Sequence, residues 1–385
     1  MTEGTVIVIV VVLFGLAFDF TNGFHDTANA MATSVATGAL RPRVAVGLSG
    51  VLNFVGAFLS LAVATTIATG IVDAGVITTT VVFAGLVGAI TWNLVTWLFG
   101  LPSSSSHAVI GGTIGAAIVG SGWAAIQGAG IVSKVLVPAF FSPIIAALAA
   151  ALSVMLAFRI VRRARPDFVQ RAYRIGQVAS ASLVSLAHGT NDAQKTMGII
   201  TLALITNGNI STHTGIPEWV VVTCAAAIAL GTYMGGWRVI RTVGKGITEI
   251  STPQGFVAES ISSAVILGAA HLGFAVSTTQ VASGSVLGVG LGRRGAAVRW
   301  STVGQMVVAW VVTIPSAAIL GGAAEFVAGR IGGLPGVLVT AVVAVCVYGA
   351  IYAASRLHPV TADNVNAPIP EGAPSALAIE TAPAT

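Results

Sequence analysis

Charge is what this chain lacks most. Of its 385 residues, 13 are acidic and 18 are lysine or arginine, 8% in all, roughly a third of the share in a soluble domain. So few charges cannot cover a water-facing surface. That excludes a cytosolic enzyme and a disordered protein, and it excludes a nucleic-acid module despite the net charge of +5. Cysteine is nearly absent: Cys224 and Cys346 both lie in apolar runs, where a free thiol is a small hydrophobe, so neither a disulfide framework nor a thiolate metal cluster follows. There is no HExxH or comparable metal-ligand spacing, and Gly244-Lys-Gly-Ile-Thr248 is an incomplete phosphate loop with no strand before it. No lysine or arginine precedes the apolar run Thr5 to Phe18, which therefore reads as a retained membrane segment rather than a cleaved leader.

What is present is apolar length, with 55% of residues hydrophobic. A bilayer core takes about 20 apolar residues in a helix. Suitable stretches run approximately 5–40, 44–70, 77–100, 103–128, 131–158, 178–207, 217–237, 255–273, 279–292, 300–326 and 336–355. The fold class they predict is an all-α polytopic membrane protein. The first and sixth stretches are long and interrupted by polar clusters, which predicts broken helices, while 279–292 is too short to cross. The segment 357–385 is rich in proline, alanine and threonine and reads as a disordered tail.

Fifteen of the eighteen basic residues fall in five segments, Arg41–Arg43, Arg159–Arg174, Arg238–Lys245, Arg293–Arg299 and Arg356. Cytoplasmic loops carry an excess of lysine and arginine. All five segments reach one side only if 77–128 and 255–292 are re-entrant helical hairpins that do not cross. The N-terminus then lies outside and the C-terminus in the cytoplasm. Three crossings per half force the halves into opposite orientations, an inverted-topology repeat: residues 1–158, a basic cytoplasmic linker 159–177, and residues 178–356.

The residues repeat accordingly. Gly23-Phe-His-Asp-Thr-Ala-Asn-Ala-Met31 lies over Gly189-Thr-Asn-Asp-Ala-Gln-Lys-Thr-Met197, 166 positions later. Pro102-Ser-Ser-Ser-Ser-His107 lies over Ala275-Val-Ser-Thr-Thr-Gln280, 173 positions later, and brings Gly111 and Gly115 onto Gly284 and Gly288. The difference of seven residues is expected in the loop around 238–254. Secondary transporters are built this way, with substrate near the midplane between the repeats, and polar interruptions at that depth must be buried or line a cavity.

Asp19, Asp26, Asp192 and Glu259 are the acidic residues placed within the membrane, and Lys195 is the basic one. Each needs a partner or a wet site. Asp26 and Asn29 share a helical face and offer oxygens to a hard cation, or a carboxylate to a proton; Asp192 with Asn191 or Gln194 is the symmetric set. Helix capping is the plainer use of the same residues. Lys195 stands at the repeat position of Asn29, as a replacement for a bound cation, a contact to an anion, or a charge partner for Asp192 or Glu259. Ser104, Ser105 and Ser106, and Ser277, Thr278, Thr279 and Gln280, sit just ahead of or at the start of glycine-containing helices. Free N–H groups and hydroxyls there suit a tetrahedral oxyanion, though N-capping alone also accounts for them. His25, His107 and His188 lie beside these clusters and read more simply as hydrogen-bonded structural residues.

These four segments, Gly23–Ala30, His188–Lys195, Leu101–His107 and Val276–Gln280, resemble the signatures of the inorganic phosphate transporter family, and the pattern is most similar to bacterial low-affinity phosphate permeases. The resemblance spans about residues 5–355. It implies symport of inorganic phosphate with H⁺ or Na⁺, or of metal–phosphate complexes or sulfate in some members, and no catalytic residue, resident cofactor or metal. Asp26, Asp192 and Glu259 match acidic positions of the family. Asn53 stands where many members have glutamate and Lys195 where many have asparagine, which favours H⁺ over Na⁺. The expectation is a cell-membrane phosphate importer working by alternating access, in contact with lipid and not nucleic acid, with small-residue faces that permit a homodimer. A sulfate permease is the alternative; an intramembrane metal-dependent hydrolase built on His25, Asp26, His188 and Asp192 is the remote one.

Overall fold

The computed structural model describes residues 2–73, 75–293 and 295–367. Its helices are α1 Glu3–Ala36, α2 Pro42–Gly56, α3 Ala62–Gly70, α4 Thr79–Leu98, α5 Ser105–Ser121, α6 Gly128–Ile131, α7 Val137–Val161, α8 Pro166–Thr206, α9 Glu218–Met234, α10 Trp237–Arg241, α11 Thr252–His271, α12 Thr278–Leu291, α13 Trp300–Ile331 and α14 Gly333–Ser355. A π turn over Val132–Leu136 joins α6 to α7, and another over Thr242–Gly246 extends α10. Among the described residues, β structure is confined to two isolated bridges. Helices α1, α4, α13 and α14, and the joined α6–α7, are each long and apolar enough to cross a bilayer; α9 and α10 form a further candidate bent by 61°. The chain is thus an all-α polytopic membrane protein. Phe140, Leu148, Leu152, Val311 and Ile319 point outward, an apolar surface suited to lipid rather than water.

Two helices differ from expectation. Both α1 and α8 run unbroken through their polar clusters. Neither cluster contains proline, so every backbone N–H can keep its partner one turn back, and the polar side chains find partners on other helices instead. The basic segment 159–177 is also not a linker: α8 starts at Pro166, a residue preorganised for a first helical turn, so Arg171 and Arg174 ride on the helix. The expected stretch 44–70 divides into α2 and α3.

The expected hairpins are helix pairs. Helices α4 and α5 are joined by 99–104, and α11 and α12 by 272–277. Helices α1 and α8 lie antiparallel, with Gly4 against Asn207 and Gly15 against Ile200. Contacts between the halves are mirrored. A Cβ on Gly23 of α1 would stand 2.3 Å from the Ile228 carbonyl oxygen of α9, and one on Gly189 of α8 would stand 2.2 Å from that of Asn53 on α2. Gly56 meets Leu186, and Gly231 meets Phe20, in the same crossed sense. Only glycine admits such backbone approach. Gly56 and Gly231 are 175 positions apart, so the extra residues fall between α8 and α9 rather than around 238–254. Helix α5 packs on α13 and α12 on α7.

The start of the expected disordered tail is ordered. Val365 is buried, Asn366 donates to the Val35 carbonyl at the end of α1, Lys245 donates to Asn366 O at 2.6 Å, and Arg238 donates to His358 O at 2.6 Å. The rest of that expectation, 368–385, lies outside the described residues.

Candidate functional site

The two hairpin tips meet between α1 and α8. Each tip helix begins on a serine cap: the backbone N–H of His107 donates to Ser104 Oγ at 3.1 Å, and that of Gln280 to Ser277 Oγ at 3.2 Å. Such caps satisfy one free donor of the first turn. Ser104 and Ser277 therefore serve the helix ends, the plainer of their two readings. The next two residues of each tip do something else. Ser105 donates to Asp26 Oδ2 at 2.6 Å and Thr279 to Asp26 Oδ1 at 3.3 Å, while Thr278 donates to Asp192 Oδ2 at 2.9 Å. Asn29 Nδ2 reaches Thr278 and Thr279 Oγ1 at 3.2 and 3.0 Å. Ser106 donates across to the Val276 carbonyl at 3.4 Å.

Lys195 joins both tips to α8. Its ammonium donates to Asp192, to Ser106 Oγ and, at 3.3 Å, to the Val276 carbonyl. Of the roles open to Lys195, the charge partner of Asp192 is the one the geometry displays; Glu259 is not its partner. Asn191 Nδ2 donates to Asp192 Oδ1 and to Val276 O, at 3.0 and 3.1 Å. Asp26, Asp192 and His188 bring ligand atoms within 4.8 Å of one another. All these side chains are essentially fully buried, where charged and polar groups need such partners.

Two of the three histidines belong to the site more closely than expected, while neither ring nitrogen of the buried His107 takes a hydrogen bond among the described residues, contrary to its reading as a hydrogen-bonded structural residue. His25 Nδ1 lies 2.6 Å from Asp26 Oδ1, and His188 Nε2 lies 2.9 Å from Asp192 Oδ2 while its Nδ1 faces Asn53 Oδ1 at 3.1 Å. Each half thus pairs one imidazole with its aspartate. For His188 the signal was present in the sequence, histidine four residues before aspartate on a helix; for the adjacent His25 and Asp26 helical spacing gave none. Gln194 is used elsewhere: its Oε1 accepts from the backbone N–H of Val63 and Ala64, at 2.8 and 3.2 Å, at the start of α3. Gln280 is buried at the α12 tip, and its Oε1 takes no hydrogen bond from the described residues.

Glu259 stands apart from the aspartates. Its carboxylate accepts from Ser34 at 2.7 Å, Ser180 at 2.6 Å, Gln177 at 3.4 Å and from Thr33. It shares none of these partners with Asp26 or Asp192. Thr33 lies seven residues beyond Asp26 on α1, about 10 Å along the axis and on nearly the same face. Asp19 lies the same interval before Asp26.

A closed cluster of hydroxyls, helix N-termini, one ammonium and two paired carboxylates can take a small oxyanion together with a cation; the outer nitrogen of the Asp26-paired imidazole, His25 Nε2, is met by Thr96 and Ser103 hydroxyls at 3.3 and 3.4 Å. Comparison with known proteins agrees. Residues 22–321 match the Phosphate transporter family. The chain is 56% identical over 362 residues to a Mycobacterium bovis protein named "Probable low-affinity inorganic phosphate transporter", covering 94% of this chain and 87% of that one. It is 45% identical to a Bacillus subtilis protein of the same name, covering 84% and 97%. A solved structure described as "The sodium-dependent phosphate transporter" superposes with a TM-score of 0.77 at 23% identity, over 85% of this chain and 100% of that one, a likeness of fold. With both halves of the site inside the matched span, the chain belongs to the phosphate transporter family, as a membrane transporter and not an enzyme.

Proposed function

We propose that this protein imports inorganic phosphate across the cell membrane by cation-coupled alternating access, with H⁺ favoured over Na⁺. The observation that carries the reading is that Asp26 and Asp192, from opposite halves, together hold both hydroxyl tips. Phosphate binds the tips through Ser105, Ser106, Thr278, Thr279 and those first-turn N–H groups of α5 and α12 that are not taken up by the caps Ser104 and Ser277. Gln280 adds a side-chain amide and Lys195 the positive charge. An incoming phosphate must take hydroxyl protons now donated to carboxylates, and its negative charge is repelled by Asp26 and Asp192. A cation at Asp26 and Asn29, or Asp192 and Asn191, removes that repulsion, so anion and cation each raise the other's affinity. Glu259, in its ring of hydroxyls, is a further cation station two turns along α1.

The preference for H⁺ rests on Lys195. Carboxylate, hydroxyl and carbonyl oxygens are the donor set of a hard cation, and here a fixed ammonium occupies it. The crossed glycine contacts and antiparallel α1 and α8 support two inverted repeats, whose re-entrant hairpins deliver the tips to the midplane. The basic segments put the N-terminus outside and the C-terminus in the cytoplasm. Labelled phosphate uptake into proteoliposomes tests the proposal: an inward pH gradient drives accumulation without Na⁺. Accumulation driven by a Na⁺ gradient alone overturns the coupling assignment. Uptake of sulfate in preference to phosphate overturns the substrate.

A further inference from the structure

We infer that Asp19 is a proton-binding site of the transport cycle, separate from the Asp26–Asp192 pair. Asp19 is fully buried on α1, and among the described residues no group makes a hydrogen bond of ordinary geometry to either carboxyl oxygen, the Thr196 hydroxyl being the one that approaches it. The other buried carboxylates on this axis are treated differently. Asp26 and Asp192 each accept several bonds, and Glu259 accepts four. An ionised carboxylate left so bare at membrane depth is costly, and a proton removes the charge.

The surroundings fit a proton better than a metal cation. Thr196 on α8 faces Asp19 with a buried hydroxyl, close enough to act on the carboxyl as a hydrogen-bonding group and engaged by no other side chain among the described residues. A hydroxyl serves both states, donating to a carboxylate or accepting from a carboxylic acid. Asn22, three residues on along the same helix, is buried with its amide likewise unpartnered. Two such neighbours are too few oxygens for a hard metal ion, which takes six or so. The charges that reach Asp19 from α8 are Asp192 and Lys195, and from α9 the neighbouring titratable group is Cys224. Helix α4, also packed on α1, has no titratable residue over 79–98. On α14, also packed on α1, the half-buried Tyr348 spends its hydroxyl on Val87 O and is not among the groups acting on Asp19.

Position gives the role. Asp19 lies two turns from Asp26, about 10 Å along the axis toward the N-terminus of α1, the outer end in the proposed orientation. A proton arriving from outside adds to a carboxylate oxygen of Asp19, and later leaves the same oxygen for the site or the opposite side; no other bond changes. No hydrogen bond among the described residues ties Asp19 to the tip hydroxyls assigned to phosphate, so removing its charge acts on the substrate site only at a distance, through the field at Lys195 and Asp192.

The inference rests on the proton-coupled phosphate reading, and the experiment separates the two. Reconstituted wild type is assayed for accumulation of labelled phosphate under an imposed pH gradient, and for phosphate–phosphate exchange with no gradient. Absence of gradient-driven accumulation in wild type defeats the coupling reading itself. Given a driven wild type, Asp19→Asn is expected to lose accumulation on the order of tenfold or more while exchange stays within about threefold. Accumulation equal to wild type overturns the inference, as does parallel loss of exchange in protein that elutes as a folded species. If Asp19→Asn cannot be recovered folded, Asp19→Glu decides: a displaced pH profile of accumulation with normal exchange supports the site, and an unchanged profile overturns it. Loss of Na⁺-driven rather than pH-driven accumulation assigns a metal cation to Asp19 and also overturns it.

Discussion

The two aspartates at the centre occupy equivalent positions, 166 residues apart, yet they are held by different chemistry. Asp26 is met by His25, Ser105 and Thr279, with the neutral Asn29 one turn on. Asp192 is met by Thr278, Asn191 and His188, and by the ammonium of Lys195 at the position equivalent to Asn29. Two like segments therefore place an amine beside one aspartate and a neutral amide beside the other. Under the proposed coupling, a symmetric pair of carboxylates would take two exchangeable cations, whereas this pair, with Lys195 on Asp192, takes one at Asp26.

Removing each carboxylate is the largest way to break the comparison. Asp192→Asn leaves Lys195 buried without its counter-charge, a change that costs roughly 3–5 kcal/mol in comparable buried pairs. Uptake is expected to be abolished and the amount of folded protein in the membrane to fall, measured by uptake together with thermal unfolding in detergent. Asp192→Asn with Lys195→Met should regain stability but not transport. Asp26→Asn removes no partner of a permanent cation. It is expected to cut uptake by on the order of 100-fold with normal folding, so a matching loss of stability in both variants would erase the asymmetry.

Lys195→Asn makes the second half like the first. The oxygen set of Asp192, Ser106 and Val276 then lacks its resident ammonium and is open to Na⁺. Uptake should become stimulated by Na⁺, about tenfold at saturating Na⁺, against a wild type expected under the proposed coupling to show no stimulation. Na⁺-independent uptake in the variant would show that Lys195 does not stand in for a cation.

Parts of this site were legible from the chain alone because they are local. A serine ahead of an apolar, glycine-containing helix signals an N-cap, and Ser104 and Ser277 are caps. Carboxylates in apolar runs signal function, and Asp26 and Asp192 do face the tips. What could not be read depends on partners far along the chain. Whether a polar cluster breaks a helix is decided by what binds its side chains, and Asp26 finds Thr279 253 residues away, so α1 stays whole. Glu259 is drawn from the aspartates by hydroxyls of α1 and α8. That Asp19 meets fewer hydrogen-bonding groups than the other buried carboxylates depends on how α8 and α9 pack against α1, for which a sequence has no sign. The ordering of 357–367 likewise comes from Arg238 and Lys245, which seize its carbonyls across more than 100 residues.

The smallest contrast lies within the Asp26 shell. Ser105 approaches Oδ2 at 2.6 Å and Thr279 approaches Oδ1 at 3.3 Å while also accepting from Asn29. Hydrogen bonds to a charged group contribute about 1.5–3 kcal/mol and weaken as they lengthen, so the two hydroxyls are unequal. Ser105→Ala should raise the phosphate KM by roughly tenfold, and Thr279→Val by only about twofold to threefold, in uptake measured across phosphate concentrations at fixed pH. The order has a mechanistic meaning. If Thr279→Val proves the more severe, the second-half tip carries more of the anion than the first, and the short Ser105 contact is structural rather than a donor surrendered to phosphate.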